Sequence, residues 1–150
     1  MKPCLLLALV GLAISFALPT FAQEQSAVNP ETRQEIEAVG RQFAEASSKH
    51  DAAAVAALYT QDAVRVEDWE GSGLHVGREA IEKRFAADFE SSFPPVVSKL
   101  VQIYPIEDRI AAISEYSAVS YHGHVVTIYV RDVDTWKIRM EFVTETQMPQ

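Results

Sequence analysis

Four long stretches, 96–106, 109–121, 124–132 and 135–145, dominate the second half of this chain. They are rich in β-branched and aromatic residues, as strands are. Only Glu107-Asp108, Tyr121-His122-Gly123-His124 and Asp132-Val133-Asp134 separate them. Turns this short cannot carry the chain across a sheet, so consecutive strands must lie side by side and antiparallel. Alternation splits the last strand into two faces. Trp136, Ile138, Met140 and Phe142 lie on one, and Lys137, Arg139, Glu141 and Glu145 on the other. A meander with one apolar face needs a cover, and the preceding segments supply it.

Asn29-Pro30-Glu31 reads as an N-cap, a proline at the first helical position and an acidic first turn. Ile36, Val39, Phe43 and Ala46 or Ser47 then recur at helical spacing, which predicts a helix over 30–49. Asp51 caps a short second helix over 52–59, burying Val55, Leu58 and Tyr59, and Asp62 stops it. Over 63–68 the period drops to two. Val64 and Val66 alternate with Arg65 and Glu67, the mark of a half-buried strand. The turn-rich loop 69–73 lets Leu74–Val76 pair back on it. Gly77 opens a third helix over 78–91 carrying Ile81, Phe85 and Phe89, and Pro94-Pro95 forbids its continuation. The expected class is α+β, with three N-terminal helices packed on one face of a curved antiparallel sheet.

The N-terminus bounds what matures. Leu5–Leu18 is an apolar run of 14 residues between Lys2 and the small-x-small site Thr20-Phe21-Ala22. That is the anatomy of a secretory signal peptide, and the run is shorter than the ~20 residues that span a bilayer. The expected organisation is a signal peptide over 1–22, a flexible leader over 23–29 and one domain over 30–150. The expected location is the bacterial periplasm, with no membrane association after cleavage. Cleavage leaves 128 residues, room for one core. With Lys2 gone, 12 basic residues face 21 acidic ones. That balance excludes nucleic acid and anionic lipid as partners, since both need clustered Lys and Arg. The only cysteine, Cys4, leaves with the signal, so no disulfide, thiol nucleophile or cysteine metal ligand remains.

Asp51–Val66 (DAAAVAALYTQDAVRV), Gly77–Phe85 (GREAIEKRF) and Trp136-Lys137-Ile138 carry a resemblance in their order and spacing. Together they resemble the nuclear transport factor 2-like superfamily, in the branch of SnoaL-like polyketide cyclases and ketosteroid isomerases. The resemblance covers residues 30–145. It implies a cystatin-like sheet curled into a cone, helices closing it around an apolar pocket, and a homodimer through the outer sheet face. The implied ligand is a small apolar or aromatic molecule. Val66–Ser72 resembles the ketosteroid isomerase stretch that carries the proton-abstracting aspartate, and Asp68 falls on that aspartate. Strand parity adds a physical point. Asp68 shares the side of Val64 and Val66, so a regular strand turns it toward apolar surroundings. Lost hydration would raise its pKa toward that of a useful base. The two donors those isomerases use do not match, because Phe43 stands at the tyrosine and Ile128 at the protonated aspartate. Steroid isomerisation by that mechanism is therefore rejected, and another proton transfer, or binding alone, stays open.

The other candidates each carry a bland alternative. His75 either pairs with Asp68 across the hairpin or is a solvated histidine. Trp69 either lines the pocket mouth or covers the sheet edge. Tyr59 and Asp62, in LYTQDAV, serve the core and a turn if they do not serve a ligand. Glu115 is either a pocket acid or an outward residue at a subunit interface. Tyr116 and Tyr129 offer hydroxyls to a ligand or to packing. Arg78 sits at a helix start, unfavourable for a cation, which predicts a carboxylate partner in Glu79 or a pocket acid. His122 and His124 form an H-x-H pair in a turn without a third ligand, so no metal is expected. No phosphate loop or nucleophile elbow is present, and no cofactor is expected.

The catalytic candidates are thus Asp68 and His75, and the substrate-binding candidates are Phe43, Tyr59, Trp69, Glu115 and Tyr129. Val119, Val126, Val130 and Val143 are the candidate dimer contacts. Two functions compete: an exported small-molecule-binding domain with proton transfer by Asp68, and a non-catalytic dimeric binding or assembly module. They differ in where the Asp68 carboxyl sits. They differ also in whether Phe43, Phe85, Phe89, Trp136 and Phe142 fill the cone.

Overall fold

Helix α1 spans Pro30–Ser48, α2 Ala52–Ala56 and α3 Arg78–Glu90. The strands are β1 Tyr59–Asp68, β2 Leu74–Val76, β3 Val97–Ile106, β4 Arg109–Ser117, β5 Tyr121–Asp132, β6 Thr135–Thr144 and β7 Thr146–Gln147. The computed structural model describes residues 28–69, 73–91 and 96–147. The expected signal peptide and most of the expected leader lie outside them. Val28 packs against the core and Asn29 caps α1, its side chain accepting from the Thr32 N–H at 2.9 Å, so both belong to the domain. Among the described residues no helix is long and apolar enough to cross a membrane.

Six strands form a curved open sheet in the order β2-β1-β6-β5-β4-β3, and β7 pairs with the start of β5. The meander is as expected, but the sheet is not wholly antiparallel, because β1 runs parallel to β6. The second helix stops at Ala56, and Tyr59 and Asp62 belong to β1. The Ile138 N–H donates to the Leu58 carbonyl at 2.9 Å, which draws this stretch into the sheet. Among the described residues Arg78 meets no carboxylate. Its guanidinium donates to the Tyr59 carbonyl, from Nε at 2.9 Å, and fixes the start of β1. The segment Tyr121–His124 is strand, and the turn lies before it at 118–120.

Bulges decide which side chains face the helices. Ile138 pairs with Tyr129 and Met140 with Ile128, which leaves Arg139 as an extra residue in β6. One extra residue exchanges the faces of everything after it. Trp136 and Ile138 therefore pack under the helices, while Met140 and Phe142 are 46% and 39% exposed on the far side. Glu141 and Val143 take their places inside. The β1–β6 register shifts between Tyr59 and Val64. There Arg139 fills the irregularity, donating from Nη1 to the Asp62 carbonyl at 2.6 Å and pairing with its carboxylate at 3.1 Å. Besides Tyr59, the buried residues of β1 are Ala63, Arg65 and Glu67, the reverse of the parity expected over 63–68.

The core gathers Ile36 and Val39 from α1, Val55 from α2, and Ile81 and Phe85 from α3 over Tyr59, Ile110, Ala112, Tyr129 and Ile138. Phe43 meets Phe85 edge-on at 5.6 Å, and Phe89 lies 6.0 Å from Phe85. Glu35 accepts from Trp136 Nε1 at 2.8 Å and from Arg131 Nη2 at 2.7 Å, which ties α1 to the β5–β6 hairpin.

That hairpin turns at Val133, whose φ is 56° and whose side chain is 87% exposed. A β-branched residue is poorly suited to the left-handed region, at a cost of roughly 1–2 kcal/mol. Val133→Asn is expected to stabilise the domain by about 1 kcal/mol, since asparagine tolerates this conformation. Thermal denaturation checks it, and an unchanged or lower midpoint contradicts it.

Candidate functional site

A polar row crosses the concave face, the side of the sheet under the helices. His75, Arg65, Glu141, Thr127, Ala112 and Ile103 pair in turn from β2 to β3. The first four place a charged patch where an apolar cone is expected. The Arg65 guanidinium lies between two carboxylates. Its Nε donates to Glu67 at 2.8 Å, and its Nη1 donates to Glu141. The Tyr59 hydroxyl donates to Glu141 at 2.7 Å, and the Phe85 ring covers the guanidinium at 4.8 Å. From α3, Arg84 Nε donates to the other Glu67 oxygen at 2.7 Å, and Arg84 Nη1 donates to Asp88. His75 Nε2 lies 3.6 Å from Glu67.

Burial and charge act against each other here. Burial alone raises the Glu67 pKa, yet Arg65 and Arg84 outweigh it and hold the carboxyl below its ordinary value. At Asp88 burial prevails, helped by repulsion from Glu67, and its pKa rises above the ordinary value despite Arg84. Burial also raises the Tyr59 phenol well above its usual range and pushes Tyr129 up to about 12. Glu67 is thus held ionised, while Asp88, where burial favours the protonated form, lies toward one end.

That end is also where water reaches it. The side chains of His75, Arg84 and Asp88 are 21%, 19% and 16% exposed. A second cluster adjoins it, because Val143 pairs with Glu67 and packs with Tyr116 and Tyr121. Trp69 and Val125 pack against this cluster. The two tyrosine rings meet at 65° with centroids 6.1 Å apart, and the Tyr116 hydroxyl donates to the Thr144 carbonyl at 2.7 Å. Burial, then the Glu145 carboxylate, push both phenols up to about 12, and Asp88 adds to this at Tyr121.

The convex face is apolar. Leu74, Val66, Phe142, Val126 and Ile113 pair in turn across five strands, and Val76, Val64, Met140, Ile128 and Ala111 form a parallel row. Leu74, Val76, Met140, Phe142 and Val126 are all exposed.

A search against protein families matches residues 40–146 to the SnoaL-like domain. This chain belongs to the SnoaL-like domain family. No curated protein matches it. Among solved structures, a domain of unknown function with a cystatin-like fold from Nostoc punctiforme is similar, with TM-score 0.70 and 13% identity over 81% of each chain. A ketosteroid isomerase-like protein from Erwinia carotovora atroseptica gives TM-score 0.67 and 16% identity, over 81% of this chain and all of that one. A conserved protein from Planctomyces limnophilus gives 0.65 and 17%, over 80% of this chain and all of that one. At these identities the likeness is one of fold.

Within this SnoaL-like fold the expected site residues scatter. Asp68 is exposed on the side opposite Arg65 and Glu67, so it is not a buried base. His75 reaches Glu67 instead of Asp68. Tyr59 and Tyr129 are buried on the concave side, Phe43 packs with Phe85, and Trp69 joins the tyrosine cluster. Glu115 is exposed, 4.0 Å from His124, which removes the pocket-acid alternative. Ile128 lies in a convex row, while its neighbour Thr127 is buried on the concave side. Of the expected dimer contacts, Val126 and Val130 keep the convex parity, Val143 is inside and Val119 is in a turn. No group of three metal-ligating residues occurs among the described residues.

Arg65, Glu67 and Glu141 escape a reading by alternation, which assigns strand charges to solvent, and Arg84 of α3 escapes one by helical spacing, which picks out only Ile81, Phe85 and Phe89. One signal was available. Arg65 and Glu67 stand two apart on one strand face, which makes them neighbours of opposite charge.

Proposed function

We propose that this SnoaL-like protein is an exported homodimer that binds a small molecule at the open end of its concave face. One observation carries the site: a buried ionic network ends in the partly exposed Arg84, Asp88 and His75 beside Trp69, Tyr116 and Tyr121. Aromatic surface with a few convergent polar groups is the usual make-up of a ligand site. We read it as a binding site and not as one run by an Asp68 base, because the Asp68 carboxyl is exposed on the other face. The Leu5–Leu18 run and the Thr20-Phe21-Ala22 site support export to the periplasm. Native mass spectrometry of protein purified from its own periplasm tests the ligand. A retained small molecule that disappears in Trp69→Ala supports the reading. A ligand-free protein, or retention unchanged by Trp69→Ala, counts against it.

The convex rows favour a second reading beside the first, a dimeric assembly module. An apolar strip across five strands is unusual on a monomer's surface. Met140→Glu is expected to raise the dimer dissociation constant at least ~10-fold, because a carboxylate desolvated at the centre of an interface costs more than about 1.4 kcal/mol. Sedimentation checks it. A wild-type protein that stays monomeric at micromolar concentration would refute the dimer.

A further inference from the structure

We propose that the group recognised at this open end is a cation, an ammonium or amidinium carried on an aromatic or apolar body. The inference rests on the ligand-site reading above and specifies its chemistry. Among the described residues the network holds two guanidiniums, Arg65 and Arg84, against three carboxylates, Glu67, Glu141 and Asp88. With these five groups ionised and the adjoining His75 neutral, they sum to one negative charge. Glu145 adds another beside the tyrosines.

The arginines are already engaged. Arg65 donates to Glu67 and Glu141, and Arg84 donates to Glu67 and Asp88. An anionic ligand would have to enter this negative excess and compete with carboxylates held in place. A cationic one enters a field that favours it, strengthened by a net charge of −8 on the whole chain. Among the described residues Asp88 pairs directly with Arg84 alone, Arg84 shares its guanidinium with Glu67, and Arg65 adds only a weaker attraction. A ligand cation there would supply the missing charge. The raised Asp88 pKa has the same physical cause, a half-buried carboxyl too close to Glu67. Trp69, Tyr116 and Tyr121 complete the arrangement, since aromatic faces attract cations electrostatically.

The test compares three probes on one skeleton, phenethylamine, 2-phenylethanol and phenylacetate, by isothermal titration and NMR shift mapping on the exported wild-type protein. The amine is expected to bind at least ~10-fold tighter than the other two, the scale of a partly desolvated cation–π contact. Its shifts are expected to map to Trp69, Tyr121 and Asp88. Asp88→Asn is expected to reduce the amine's advantage to within about twofold. Glu145→Gln, at the rim, is expected to weaken amine binding in the same direction and serves if Asp88→Asn folds poorly. Equal binding of amine and alcohol, preference for the acid, or no binding by any probe would each overturn the cation. Those outcomes leave native-state retention of some other molecule, and with it the ligand-site reading, to be judged separately.

Discussion

Arg65→Ala is expected to destabilise the domain by about 3–5 kcal/mol at neutral pH, the cost of breaking a buried ion pair from one side. The variant leaves Glu141 with the Tyr59 hydroxyl and Glu67 with Arg84 and the more distant His75. The deficit should depend on pH with a definite sign. In the wild type Glu67 titrates below its ordinary value, so its stabilising contribution is present above the unfolded-state pKa. It is lost as pH falls through the folded one. Without Arg65 the burial that opposes ionisation prevails, the Glu67 pKa rises, and acidification stabilises the variant relative to neutral pH. The gap between the two proteins should therefore start to narrow as pH falls through the variant's raised Glu67 pKa, above the ordinary value of about 4.3, and go on narrowing toward the lowered wild-type one. Urea denaturation at pH 7 and pH 4 measures both. A loss under about 1 kcal/mol, or a deficit independent of pH, would mean that the carboxylates find water without the guanidinium.

Gly123→Ala should cost about 3 kcal/mol, near the upper end of ordinary overpacking. A methyl at Gly123 would stand 1.9 Å from the Thr144 carbonyl oxygen and 2.8 Å from the Tyr116 ring. The oxygen is backbone, and Tyr116 is tied to it by a hydrogen bond of 2.7 Å. Relief requires β5 and β6 to separate, which breaks that bond. Two readouts should move together. The melting midpoint falls by roughly 10 °C. The Tyr116 phenol, pushed up to about 12 by burial and then by Glu145, ionises at lower pH as water enters. A variant as stable as wild type would show that the strands do not approach as described.

Three helices, a hairpin and a meander are legible because each has a local cause, such as the Asn29 and Asp51 caps and the turns at Glu107-Asp108 and Val133-Asp134, while the expected Pro94-Pro95 stop lies outside the described residues. What failed was non-local. The parallel pairing of β1 with β6 joins segments some eighty residues apart, and nothing within either announces the other. Alternation around Val64 and Val66 marks a strand but does not say which side faces the helices, and the structure inverts the expected one. Hydrophobicity names the side that avoids water, and here both sides avoid it. The apolar convex rows compete with the helices for that label. The same inversion put Asp68 on the wrong face and hid Arg65 and Glu67.

Arg139 gives this inversion an evolutionary reading. Its extra position divides β6 into two halves with opposite inward composition, Trp136 and Ile138 before it, Glu141 and Val143 after it. Deleting that one codon would leave Ile138 followed directly by Met140 in strict alternation, with Met140 and Phe142 still outward and Glu141 still inward. A regular β6 of unchanged length would instead turn Met140 and Phe142 toward the helices and Glu141 outward, so the bulge decides between a charged interior and an oily one. Homologues of this shape that keep this length but run β6 without the bulge are expected to differ in what they hold inside, even where the aligned letters agree.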